Sequence, residues 1–138
     1  MAYILLHNDE NGNLIITTPT AECLNSHGID WIKEKDTPDH SVILDDSVLP
    51  KDKLYFRDAY VFDGVETVTI DLDKAKAIHL KNFNLSAAKV AQKRQSNTMI
   101  GLENTPDDAT WIASLTAGRN AIAEATAFEQ LLEITLPS

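Results

Sequence analysis

Cysteine is almost absent from this chain. Cys23 stands alone, so no intrachain disulfide can form and no thiolate-rich zinc site can be assembled. Positive charge is scarce too: 12 Lys and Arg face 21 Asp and Glu, a formal net charge of -9. A duplex-binding surface needs clustered Lys and Arg to displace counterions from phosphates. Nucleic acid is therefore not an expected partner, and neither is an anionic membrane. No apolar run approaches the ~20 residues that span a bilayer. The start, Met1 to His7, lacks the basic region and long apolar stretch of a signal peptide. These absences lead us to expect synthesis in the cytoplasm and no membrane insertion. Aromatic residues make up only 7%, which leaves little to line a sugar-binding cleft between paired carboxylates. The five glycines are scattered singly, so there is no phosphate-cradling loop, and no HExxH pattern occurs.

What remains has a globular balance. Hydrophobic residues account for 43% and charged residues for 24% of 138, enough for a real core without a disulfide or a metal. Tyr3–Leu6 and Leu14–Thr18 are strand-forming runs around Asn11-Gly12, a turn signal, and read as a β-hairpin. Thr20 suits the cap of a short helix through Ser26 that Gly28 ends. Asp30 suits the cap of a second one, Trp31–Lys35, anchored by Trp31 and Ile32 and stopped by Pro38. Val42–Leu44, Tyr55–Phe62 and Val65–Ile70 are further strand candidates, with a turn at Asp63-Gly64.

The character changes at Asp71. Residues 71–95 hold no Pro or Gly and are rich in Ala, Lys and Leu, which predicts a helix capped by Asp71 or Asp73. Its apolar stripe, Ala75, Ile78, Asn82, Leu85 and Lys89, is weak, with a second shallow stripe at Leu80, Ala87 and Ala91. After a loop over 96–104, Thr105-Pro106-Asp107-Asp108 reads as a helix start with Thr105 as cap. Trp111, Leu115, Gly118, Ile122 and Ala125 then make a one-sided stripe on which Gly118 allows a close backbone approach. Thr126-Ala127-Phe128-Glu129 has the pattern of a capping box that opens a last short helix. The expected fold class is α+β: a small, mostly β domain over 1–70, then a helical hairpin and a short terminal helix over 71–138.

Few residues invite a chemical reading. Cys23 lies near His27 in sequence, but an active thiolate needs an electropositive setting, and Glu22 is its neighbour. His7, His27, His40 and His79 are far apart in sequence; His79 reads as a boundary residue with a hydrogen-bonded ring. Asp45, Asp46, Asp52 and Asp58 suit a hard cation by residue type and turns by position, and do not match an EF-hand loop. Lys89, Lys93 and Arg94 read as a solvated helix face. No catalytic, cofactor-binding or metal-ligating residue is assigned.

One ordered set of short segments resembles a known family. It runs Trp31-Ile32-Lys33-Glu34-Lys35-Asp36-Thr37-Pro38, Val42-Ile43-Leu44-Asp45-Asp46-Ser47 and Leu49-Pro50-Lys51-Asp52. It continues with Phe56-Arg57-Asp58-Ala59-Tyr60, Val68-Thr69-Ile70-Asp71 and Lys74-Ala75-Lys76-Ala77-Ile78-His79. This resembles a family of small proteins encoded in bacteriophage and prophage tail regions near tail-fibre or tail-tip genes. Tyr60 stands where that family carries Trp. Arg119–Leu132 resembles the end of the family's return helix, while residues 84–110 depart from it. The resemblance implies a non-enzymatic virion structural protein of the tail tip, baseplate or tail-fibre attachment region. Such a protein would be made in a bacterial host and act as an adaptor on tail or tail-fibre proteins, in several copies of a symmetric assembly. An assembly chaperone absent from the mature particle is the alternative, and a small hydrolase using His79 or Cys23 the third reading. The expected partner-contact residues are Trp111, Leu115, Ile122, Phe128 and Leu132; the competing reading is that they close the protein's own core against Ile78 and Leu85.

Overall fold

The computed structural model describes residues 2–138, and of residues 51–53 the backbone alone. The fold is α+β, with a three-stranded and a two-stranded antiparallel sheet ahead of the long helices. The chain divides into two compact units, Met1–Asp71 and Leu72–Ser138.

In the first unit β1 (Tyr3–Asn8) is central, flanked by β2 (Leu14–Thr17) and β3 (Val42–Asp45), both antiparallel to it. Ile4, Leu5 and Leu6 are buried in succession. Since side chains alternate across a strand, this run means that both faces of β1 are covered. On one face Ile4 and Leu6 pack with Leu14, Ile16, Val42 and Leu44 against Tyr60, Phe62 and Val68. The last three come from β4 (Tyr60–Phe62) and β5 (Val68–Ile70), an antiparallel pair. The Asn8 side chain donates to the Phe62 carbonyl at 3.0 Å, and the Tyr60 hydroxyl donates to the Pro50 carbonyl at 2.8 Å. Burying each Leu or Phe of this cluster contributes ~1.5–3 kcal/mol.

Aspartates shape the turns. In the β1–β2 loop the Asp9 carboxylate accepts from the backbone N–H of Asn11 and Asn13, with Gly12 at φ 79°. In the β4–β5 loop Asp63 accepts from Val65, Glu66 and Thr67. Helix α1 (Ala21–His27) begins as read, its Thr20 hydroxyl accepting from Cys23 N–H at 3.2 Å. Helix α2 (Ile29–Asp36) departs from the reading. Gly28, at φ 81°, ends α1 and also opens α2, so Asp30 lies inside the first turn and not at the cap. Ile32 is the buried anchor, whereas Trp31 is exposed and stacks on His27 at 3.8 Å.

Two expected strands are shorter than their residue types suggested. Residues 51–59 form a 3-10 helix, and only Tyr60–Phe62 of the Tyr55–Phe62 run is strand. Phe56 and Ala59 are buried from that helix, so tertiary packing overrides the strand preference of the aromatics. Residues 65–67 belong to the Asp63 turn, which leaves Val68–Ile70 as β5.

In the second unit α3 (Leu72–Met99) and α4 (Asp108–Glu124) run antiparallel, and α5 (Phe128–Glu133) packs on α3. Helix α3 extends past Gln95, through part of the stretch read as loop. The side chain of Lys76 donates to the Ala123 carbonyl, Arg119 to Asn84, and Arg94 to Asp108, which records the antiparallel alignment along the hairpin. The buried face of α3 is Ala75, His79, Phe83, Ala87 and Arg94. Of the two expected stripes it holds only Ala75 and Ala87: Leu80, Leu85, Lys89 and Ala91 are exposed, and Ile78 and Asn82 are half-buried. Both helix starts differ in detail as well. Asp107, not Thr105, caps α4 by accepting from Thr110 N–H at 2.9 Å. At α5 the cap position is Ala127, and the Thr126 N–H and hydroxyl both donate to Gln130 rather than engaging Glu129. No helix among the described residues is long and apolar enough to cross a membrane.

Candidate functional site

The stripe singled out on α4 and α5 does not form one surface. Leu115 and Ile122 are buried, and Trp111 and Phe128 are half-buried. Leu132 is 52% exposed, while its neighbour Leu131 is fully buried. Leu115 and Ile122 are therefore core residues of the unit in this structure. Leu85, offered as their counterpart, points to solvent, and Phe83 takes that role by lying over Gly118.

His79 is buried on α3 and its Nε2 donates to the Ile134 carbonyl at 2.9 Å, which anchors the C-terminal segment. Cys23 is half-buried in α1. Lys89 and Lys93 are exposed, but Arg94 is buried, so the three do not make a common solvated face. Among the described residues no group of three or more His, Cys, Asp or Glu is placed to hold a metal ion. Asp45 and Asp46 lie at a turn where the Asp45 carboxylate accepts from Ser47 N–H; the side chain of Asp52 falls outside the described residues.

A different place stands out: the end of the α3–α4 hairpin. Arg94 organises it. The guanidinium Nη2 donates to the Pro106 carbonyl at 2.6 Å and to Asp108 Oδ1 at 2.7 Å, Nε donates to the same oxygen at 3.2 Å, and the group lies 4.9 Å from the Trp111 ring centroid. A buried cation left without such partners would be strongly destabilising. Asn104 completes the fixture: its amide donates to the Arg94 carbonyl and to the Thr98 hydroxyl, and accepts from Asn97. Hydrogen bonds from the Thr110 hydroxyl and N–H, with the Arg94 charge as a lesser cause, hold the Asp107 carboxyl below its ordinary value.

Upon this hydrogen-bonded frame sit four large apolar side chains that the fold does not cover. Met99 is 81% exposed, Ile100 71%, Leu102 56% and Ile112 56%. A groove of about 370 Å³ runs between Met99 and Ile112, with Arg94, Thr98, Asp108 and Trp111 among its walls. Thr98, Asn104 and Asp108 also wall a second groove, which carries Leu102, Glu103 and Asp107. Exposed apolar residues are ordinary when single; grouped at one hairpin end, these four are a candidate interaction surface. Sequence reading passed over this end because it took 96–104 as a connecting loop. The signal available was the run Met99-Ile100-Gly101-Leu102, three bulky apolar residues in a linker. No protein-family model, curated protein or solved structure matches the chain.

Proposed function

We propose that this protein is a non-enzymatic adaptor of a phage or prophage tail, placed at the tail tip, baseplate or tail-fibre attachment region and present in several copies. The phage context rests on the resemblance over Trp31–His79. The observation that carries contact over catalysis is the hairpin end, where Met99, Ile100, Leu102 and Ile112 stand out from a frame fixed by Arg94 and Asn104. A rigid apolar display loses little side-chain and loop freedom on docking, which favours its use as a binding surface. A hydrolase built on His79 or Cys23 has less behind it, since His79 Nε2 is already committed to the Ile134 carbonyl.

Mass spectrometry of gradient-purified particles from a host carrying this gene tests the reading. Detection at a constant small number per particle, scaled to the tail-tube protein, is the expected result. Absence from particles with presence in the infected-cell lysate overturns the virion assignment and favours a tail or tail-fibre assembly chaperone.

A further inference from the structure

The chemistry of the hairpin end narrows the kind of partner it takes. From Gln95 to Gly118 the chain contains Glu103, Asp107 and Asp108 and neither Lys nor Arg. The nearest cations do not offset this at the apolar groove. The Arg94 side chain is only 10% exposed and is engaged by Asp108, Pro106 and Trp111. Lys93 lines a different groove, together with Glu103. The Asp108 side chain, by contrast, is 72% exposed even while its Oδ1 holds Arg94, and Asp107 is exposed at the helix start. The apolar groove thus has one carboxylate, Asp108, in its wall, and the groove beside it, which shares Asp108, adds Glu103 and Asp107.

We infer that this end docks a segment of a partner protein in which an apolar side chain is followed closely by Lys or Arg. The apolar side chain enters the groove between Met99 and Ile112, and the cation meets Asp108 in its wall and, beyond it, Asp107 and Glu103 in the adjoining groove that shares Asp108. Charge complementarity selects this occupant over a second copy of the same end. Two copies meeting there would set Glu103, Asp107 and Asp108 against themselves, and like charges across a contact oppose it. The inference rests on the adaptor reading for its biological setting but not on the phage assignment.

Two synthetic peptides test it, one with Leu-Phe between two Arg and the other with Leu-Phe between two Glu. The chain has two Met and two Trp, so methyl spectra of Met-labelled protein and indole N–H spectra resolve Met99 and Trp111 individually. The arginine peptide, added to about 1 mM, shifts the Met99 methyl and Trp111 indole signals and leaves Trp31 in place. The glutamate peptide binds roughly tenfold more weakly. The double variant Asp107→Ser, Glu103→Gln, which keeps a competent cap at 107, reduces that preference to under ~3-fold. Equal binding of the two peptides overturns the inference, as does absence of shifts with either, or response at Trp31 instead. Met99 shifts that follow protein concentration without peptide also overturn it, in favour of self-association. If the peptides fail while purified particles contain the protein, the docking inference falls and the adaptor reading stands. If the arginine peptide binds as expected but the protein is found neither in particles nor with tail proteins, the phage assignment falls and the docking inference stands.

Discussion

Replacing Gly118 with Ala tests how the two long helices are held together. In a helix interior this change removes glycine's excess backbone freedom and stabilises by ~1 kcal/mol when nothing is in the way. Here Phe83 is in the way. A Cβ at position 118 would lie 2.4 Å from Phe83 Cζ and 2.6 Å from Cε2, whereas carbon atoms in contact prefer ~3.5–4.0 Å. The ring must therefore move by about 1 Å. Phe83 is buried, and the Arg119 guanidinium lies 6.0 Å from its ring centroid. Overpacking of this kind costs about 1–3 kcal/mol. Set against the propensity gain, Gly118→Ala is expected to destabilise residues 72–138 by ~1 kcal/mol. For a unit of that size the melting midpoint falls by about 4–8 °C.

The sign can be reversed by design. In a Phe83→Leu background the two clashing ring atoms are gone, and Gly118→Ala becomes stabilising by roughly the propensity term of ~1 kcal/mol. The coupling across the cycle is then ~2 kcal/mol. Urea unfolding followed by Trp111 fluorescence in a Trp31→Phe protein reports on the helical unit by itself. If Gly118→Ala raises the midpoint in the presence of Phe83, or if its effect is the same in both backgrounds, the proposed contact between the helices is wrong.

Further outcomes follow from individual contacts. Arg94→Met leaves Asp108 and the Pro106 carbonyl without their donor and removes the group stacked over Trp111; it should lower stability by about 3 kcal/mol, and Arg94→Lys should not restore the wild-type midpoint, since Lys lacks the planar fork. Leu131→Ala should cost ~2–5 kcal/mol and Leu132→Ala under ~0.5 kcal/mol, because Leu131 is fully buried and Leu132 is half exposed; equal losses in paired thermal melts would contradict the α5 register. The carboxyls of Asp9, Asp45, Asp63 and Asp107 are all held below the ordinary 3.8, the first three chiefly by backbone N–H donors from Asn13, Ser47 and Val65 and the fourth by Thr110. A lowered folded-state value means their stabilisation is complete above the unfolded-state value and is lost as pH falls through the folded one. Carboxyl-carbon NMR of Asp63 should therefore show a midpoint below 3.8, and one at or above it would remove Asp63 from the list of turn-stabilising groups.

How much of this was legible in sequence depends on what kind of signal set each element. Turns and caps written in residue type came through: Asn11-Gly12, Asp63-Gly64 and Thr20 each do in the structure what their side chains suit. Apolar runs came through where they are continuous, as in β1. The Tyr55–Ala59 stretch did not, because aromatic content favours strands only on average, and here Phe56 and Ala59 reach the core from a 3-10 turn. At the start of α4, Thr105 and Asp107 are both good caps by type, and only the local geometry selects Asp107. At the hairpin end the apolar run Met99-Ile100-Gly101-Leu102 was legible, but its exposure was not. Whether Met99 or Ile112 is covered depends on what lies opposite, and sequence periodicity holds no record of that.

The stripes read on α3 held only in part. Reading apolar residues every three or four positions selects Ala75 and Ala87, which are buried, but also Ile78 and Leu85; in place of those two the helix buries His79, Phe83 and Arg94. Each of these is made tolerable by one specific partner. The His79 ring has the Ile134 carbonyl, Arg94 has Asp108 and Pro106, and Phe83 has the missing side chain of Gly118. None of the three scores as an ordinary core position, since two are ionisable and the third depends on a glycine thirty-five residues away. Two of these pairings, Arg94 with Asp108 and Phe83 with Gly118, join α3 to α4 beside the buried Leu115 and Ile122 of α4. Pairings of this kind fix register more sharply than an oily seam does, because a shift of one residue would leave a buried cation unmatched and drive the Phe83 ring against a side chain instead of against Gly118. That sharpness holds the hairpin end in one geometry, and the docking proposed for its four exposed apolar side chains, on a loop and two helix ends, would need such a frame to keep its shape beforehand.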